Sequence, residues 1–218
     1  MWFIRVHIMF IRLSICTSII TGLLYSSVLA AAKDTPSGLS AAQSAALKAL
    51  GIQIAVPTYV PRGFKVSQVI AERCPTNMPR QSLCREGPYY SLIYRDATNT
   101  CLLINAVGGG VGGGDDEFQF TTRTKLLGEI TIGFNPIRGT GRIPTRQQLG
   151  KTPKPEQLRL PQPELSSFPT MSVSGRSPYY NAVSSGSQYY QKNYKCGKNS
   201  SITPLELEKV LQSLAWLK

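Results

Sequence analysis

Tyr89-Tyr90-Ser91-Leu92-Ile93-Tyr94-Arg95, then Asp96-Ala97-Thr98-Asn99, then Thr100-Cys101-Leu102-Leu103-Ile104-Asn105-Ala106-Val107: the reading of this stretch decides the fold. Two apolar runs flank four residues with turn chemistry. In the first run Tyr90, Leu92 and Tyr94 alternate with Ser91 and Arg95. A period of two belongs to a strand with one face buried. The stretch predicts an antiparallel hairpin, Tyr89 to Arg95 and Thr100 to Val107.

Outward from the hairpin the same signals recur. The glycine run Gly108 to Gly114 reads as a flexible connector. Glu117 to Thr124 and Lys125 to Phe134 predict a second strand pair. Ile130, Ile132 and Phe134 there alternate with Glu129, Thr131 and Gly133. On the other side, Phe64 to Arg73 predicts a strand. Gly51 to Pro61 reads as extended chain broken by Pro57 and Pro61. Ser40 to Leu50, rich in Ala and Leu and ended by Gly51, predicts a helix with a glycine cap. Ala42, Ala46, Leu47 and Leu50 are its expected buried face, and residues 33–38 its flexible lead.

Asn135 to Pro169 differs, with seven prolines and no sustained periodicity. It reads as one long loop. Met171 to Ser174 and Tyr179 to Ser184 read as short closing strands. At the C-terminus, Thr203 is a good N-cap, Pro204 suits the first helical position, and Glu206 completes a capping box. Leu207, Val210, Leu211, Leu214 and Leu217 form its apolar stripe. The predicted class is α+β: an antiparallel sheet flanked by an N-terminal and a C-terminal helix, with a long Pro-rich basic loop over residues 135–169.

The leader sets the compartment. Arg5 and Arg12 precede a stretch without charge from Ile15 to Ala32, which ends Val28-Leu29-Ala30-Ala31-Ala32. A basic start, an apolar middle and an A-x-A-like end make a secretory signal, residues 1–32. Cleavage after Ala30 or Ala32 satisfies the pattern, and an uncleaved anchor is the rival. The expectation is a periplasmic or secreted protein with one exported domain, residues 33–218.

Without Arg5 and Arg12 the 24 basic residues become 22, and 22 − 12 gives a formal charge of +10. An exported cation does not meet nucleic acid. It meets an anionic envelope polymer, a membrane surface or an envelope protein. Arg138, Arg142, Arg146, Lys151, Lys154 and Arg159, against the single acid Glu156, are the candidate anionic-ligand residues. Tyrosine doublets recur at Tyr89-Tyr90, Tyr179-Tyr180 and Tyr189-Tyr190. On strands, one of each pair faces the core. The outward ones near Lys192 and Lys195 suit a sugar or protein contact.

The exported part keeps Cys74, Cys84, Cys101 and Cys196, an even number in an oxidising compartment. Three pairings exist. Cys74–Cys84, closing a short loop, and Cys101–Cys196 are favoured. Zinc is the rival, but there is no CxxC pair.

His7, the only histidine, leaves with the leader. That excludes Ser–His and Cys–His nucleophile pairs and any histidine base or metal ligand. No G-x-S-x-G elbow or S-x-x-K is present. The glycine run precedes strand-like sequence, so it is not a dinucleotide loop. Asp115, Asp116 and Glu117 could serve a glycosidase only with a distant partner such as Asp96 or Glu129. They could also hold calcium. No cofactor and no metal is expected.

Pro57-Thr58-Tyr59-Val60-Pro61-Arg62-Gly63-Phe64 resembles the P-x-Y-x-P-x-G-F opening of a family of uncharacterised bacterial extracytoplasmic domains, some of them carried by anti-sigma factors. Thr203-Pro204-Leu205-Glu206-Leu207, through Val210-Leu211 to Ser213-Leu214, is similar to that family's last helix. The resemblance implies a sheet with flanking helices, distantly like lipoprotein-sorting folds. It implies no catalytic residue. The expected function is non-catalytic binding or accessory work at the cell envelope. A carboxylate-dependent hydrolase of wall or matrix polysaccharide is one alternative, and a protein-interaction or sensor domain another.

Overall fold

A computed structural model describes residues 37–74, 87–107, 116–136, 146–151, 164–169, 178–198 and 202–218. The leader, Cys84 and the glycine run lie outside these residues. So do Met171 to Ser174 and the segments carrying Arg138, Arg142, Lys154 and Arg159.

The hairpin is β3 (Tyr89–Arg95) and β4 (Cys101–Val107), paired antiparallel with Leu92 opposite Ile104. Its turn is held by Asp96. One carboxylate oxygen accepts from Thr98 N at 2.8 Å, Thr98 Oγ1 at 2.8 Å and Thr100 N at 2.9 Å. Five strands extend the hairpin: β2 (Lys65–Glu72), β5 (Asp116–Thr124), β6 (Gly128–Pro136), β7 (Glu164–Pro169) and β8 (Tyr179–Ser185). Each neighbouring pair is antiparallel, and the order across the sheet is β2-β3-β4-β8-β7-β6-β5. The sheet is thus two meanders. The first runs β2 to β4. The second starts at the far edge with β5 and works back until β8 docks on β4.

Two expectations are corrected. Residues 135–169 are not one loop: β6 runs through Pro136, α2 (Arg146–Leu149) is a short helix, and β7 is an internal strand. β7 escaped notice because its centre is Ser166-Ser167, yet both serines are buried. Ser167 Oγ accepts from Ala182 N at 2.9 Å, so the cross-strand ladder satisfies what looked like loop polarity. The strand expected at Tyr179 to Ser184 is there, as Tyr179–Ser185, but it does not close the sheet: it joins the two meanders at its centre.

The helices α1 (Ala41–Lys48) and α4 (Pro204–Gln212) both begin with complete capping boxes, Ser40 with Gln43 and Thr203 with Glu206. In α1 the buried residues are Ser44 and Leu47, followed by Leu50, while Ala42 and Ala46 are exposed. The lead is also anchored: Leu39 is buried, and Ser37 O accepts from the Tyr94 hydroxyl at 3.1 Å. α4 stops at Gln212, short of the predicted stripe. Leu214–Trp216 forms β9, antiparallel to β1 (Ala55–Pro57).

The sheet has two unlike faces. On the first, Tyr90, Leu92, Tyr94, Leu102, Ile104, Ile130, Ile132 and Ala182 pack with Leu47, Leu207, Val210 and Leu211 in one apolar cluster. Tyr90 is fully buried there, and its hydroxyl accepts from Ala55 N at 2.8 Å and donates to Ala55 O at 3.0 Å. β1 is thereby riveted to the hairpin. The second face carries a smaller cluster of Ile93, Leu103, Cys101 and Cys196. Among the described residues no helix is long and apolar enough to cross a membrane.

Candidate functional site

The second face carries α3 (Gln188–Tyr194), which the sequence did not announce. Gln-Tyr-Tyr-Gln-Lys-Asn-Tyr has the aromatic content of a strand, and Tyr189-Tyr190 was expected to alternate as one. Tertiary contact decides otherwise. Tyr190 and Tyr194, four residues apart, lie on one helical face and pack on the Ile93, Leu103, Cys101 and Cys196 cluster.

Several bonds fix this seven-residue helix, too short to hold by itself. Cys101 of β4 and Cys196 form a disulfide with a Cα–Cα distance of 5.5 Å, joining positions 95 residues apart. Both cysteines are buried. Lys195 ends the helix in the left-handed region at φ 54°. Gly197 N donates to Asn99 O at 2.7 Å. A Cβ at Gly197 would stand 3.1 Å from Thr98 O and 3.2 Å from Asn99 O, so only glycine lets the chain lie on the hairpin turn without displacement. The Arg95 Nη2 donates to Tyr194 O at 2.7 Å, placing a cation at the helix C-terminus.

The result is a tyrosine cluster. The Tyr189 and Tyr190 rings meet edge-on at 5.3 Å, Tyr189 and Tyr194 at 6.2 Å, and Tyr190 and Tyr194 stack at 5.8 Å. Such contacts contribute about 0.5–1.5 kcal/mol each beyond burial. Burial chiefly pushes the Tyr194 hydroxyl up to about 12, and hydrogen bonds with the Tyr189 and Ser91 side chains also act on it. Tyr89 joins from β3: burial, then the charge of Glu72 and the nearness of Tyr189, raise its hydroxyl. Tyr189 is 56% exposed. Lys192 and Lys195 beside it are exposed as well.

The cysteines stand as follows. Cys101–Cys196 is formed as favoured, and Cys74 is disulfide-bonded, its favoured partner Cys84 lying outside the described residues. The cationic candidates are less well placed. Arg146 opens α2, and Lys151 is exposed just after it. Leu149 is buried and Gly150 lies against Leu205 of α4. That puts the described part of the basic segment with α4 on the first face, away from the tyrosines. Asp116 and Glu117 are both buried, and the Asp116 carboxylate sits where a side chain at Gly133 would stand. Among the described residues no group of three or more His, Cys, Asp or Glu could hold a metal ion.

No protein-family model, no curated protein and no solved structure matches the chain. The stretches Pro57 to Phe64 and Thr203 to Leu214 meet in space. Ser213 O accepts from Thr58 N at 3.1 Å and from Thr58 Oγ1 at 2.8 Å, and Tyr59 N donates to Ser213 Oγ at 3.1 Å. They form one structural clip around β1 and β9. Tyr59 is held exposed there at 40%.

Proposed function

We propose that the chain is a non-catalytic exported binding domain that holds an anionic polymer of the cell envelope on the tyrosine face of α3. One observation carries this reading. An aromatic side chain more than half exposed stands on a mutually packed tyrosine cluster, on a disulfide-clamped helix that also bears the exposed Lys192 and ends at the exposed Lys195. Rigid aromatic area binds with little entropy loss, and flanking cations add attraction to a polyanion. The buried settings of Asp116 and Glu117 favour binding over hydrolysis, since a polymer does not reach carboxylates packed on backbone. Membership of the extracytoplasmic family, and export itself, belong to this proposal.

Retention on dextran sulfate resin tests it. The mature chain is expected to stay bound at low salt and elute as salt shortens the Debye length from about 30 Å at 0.01 M to about 8 Å at 0.15 M. The variant Tyr189→Ala, Lys192→Glu, Lys195→Glu is expected to flow through. Retention unchanged in that variant overturns the α3 reading. If deletion of residues 138–159 then abolishes retention, the basic segment is the site instead.

A further inference from the structure

Glu72, the last residue of β2, is exposed and stands opposite Tyr89 of β3. Side chains opposite each other on paired strands share a face, with Cβ atoms about 5 Å apart. Tyr90 points into the first face, so Tyr89 and Glu72 belong to the second, with α3. Tyr89 reaches the tyrosine cluster there, since its hydroxyl is influenced by both Glu72 and Tyr189. Lys192 follows Tyr189 by three residues, the spacing of neighbours on a helix surface.

The outer end of the cluster is therefore an ordered strip. It runs from the Glu72 carboxylate over the Tyr89 and Tyr189 rings to the Lys192 ammonium. Glu72, Tyr189 and Lys192 are exposed and Tyr89 is half-buried, so a ligand can lie along the strip without opening the fold. A polyanion alone leaves Glu72 without a part, because a carboxylate beside the rings repels it. A cation suits that end. Tyrosine faces attract cations through the ring quadrupole, and a quaternary ammonium is the kind that aromatic surfaces recognise. The lysine at the other end takes a negative group.

We propose that the strip binds a zwitterionic phosphodiester group, its quaternary ammonium on the Tyr89 and Tyr189 rings beside Glu72 and its phosphate at Lys192. The carrier is a phosphodiester polymer of the envelope, whose backbone charge keeps it anionic. This inference rests on the α3 binding reading and narrows its ligand to a polymer bearing choline-type esters.

The test titrates the mature chain with phosphocholine, inorganic phosphate and choline at one ionic strength, followed by tyrosine fluorescence. Phosphocholine is expected to bind at least about tenfold tighter than either half. Glu72→Gln is expected to weaken phosphocholine about threefold and to delay elution from dextran sulfate, because a repelling carboxylate is gone. Glu72 is exposed, so this variant is expected to keep the urea midpoint of the unaltered chain. An immobilised glycerol phosphate polymer is expected to hold the chain to higher salt with phosphocholine substituents than without. Phosphocholine binding no tighter than phosphate, or unchanged in Glu72→Gln, overturns the strip, and retention on dextran sulfate then leaves the α3 reading standing. Binding to phosphatidylcholine vesicles without preference for the substituted polymer overturns the polymer as carrier. Binding of neither phosphocholine nor dextran sulfate removes both.

Discussion

Among single residues the buried tyrosines act through their oxygens as well as their rings. Tyr180 donates to Gln53 O at 2.9 Å, and burial pushes its hydroxyl up to about 12, as with Tyr194. An unfolded tyrosine titrates near 10. A folded-state value above the unfolded one stabilises the fold fully below pH about 10, and that stabilisation is lost as pH rises through about 12. Urea midpoints are therefore expected to hold level from neutral pH to about 10 and to fall between about 10 and 12. Tyr180→Phe with Tyr194→Phe flattens that fall. An alkaline decline of equal steepness in the variant assigns it to other groups. At this scale the sequence was readable wherever tyrosines sit on strands. Alternation put Tyr90 inside and one tyrosine of each strand doublet in the core; Tyr90 and Tyr180 are buried, and Tyr89 and Tyr179 half-buried. It failed at Tyr189-Tyr190, because strand propensity says nothing of a disulfide 95 residues distant in sequence.

Among the elements, α4 shows both what local sequence decides and where it stops deciding. Thr203 Oγ1 accepts from Glu206 N at 3.2 Å, and Glu206 Oε2 accepts from Thr203 N at 2.9 Å. All of this lies within four residues, so it was legible. Thr203→Ala is expected to cost about 1 kcal/mol, read as a lower urea midpoint with unchanged slope. A smaller loss than about 0.3 kcal/mol would show that tertiary packing alone holds the helix start. The helix end was not legible. Leu214 and Leu217 continue the apolar period, but Ser213 Oγ donates to Val210 O at 2.7 Å and the chain turns into β9. Pairing with Ala55–Pro57, so far away along the chain, leaves no local trace. β7 was missed for a like reason, since the hydroxyl of Ser167 meets its needs on β8. Of the candidate site, the tyrosines, Lys192, Lys195 and the Cys101–Cys196 link were named from sequence, whereas the Glu72–Tyr89 pair emerges only once β2 is seen beside β3.

For the molecule as a whole, the asymmetry of the two faces matters most. The first face is held by a broad apolar cluster, the second by a small cluster and one disulfide. Chain-entropy reasoning gives a link of this span about 4–5 kcal/mol, and measured links more often contribute about 2–4. Cys101→Ala with Cys196→Ala is expected to lower stability by about 3 kcal/mol. Near-ultraviolet tyrosine dichroism should collapse at a lower temperature than the far-ultraviolet sheet signal. Coincident transitions would show that α3 is held without its covalent tether. The two-meander order also constrains how the protein comes into being. A chain emerging N-terminus first completes β2, β3 and β4 early, and β4 then waits with an open side until Tyr179–Ser185 arrives. An unpaired strand side invites association with other chains. Any nascent form ending before residue 179 therefore needs a chaperone or dilution to stay monomeric, and the last forty residues act as the lock on everything made before them.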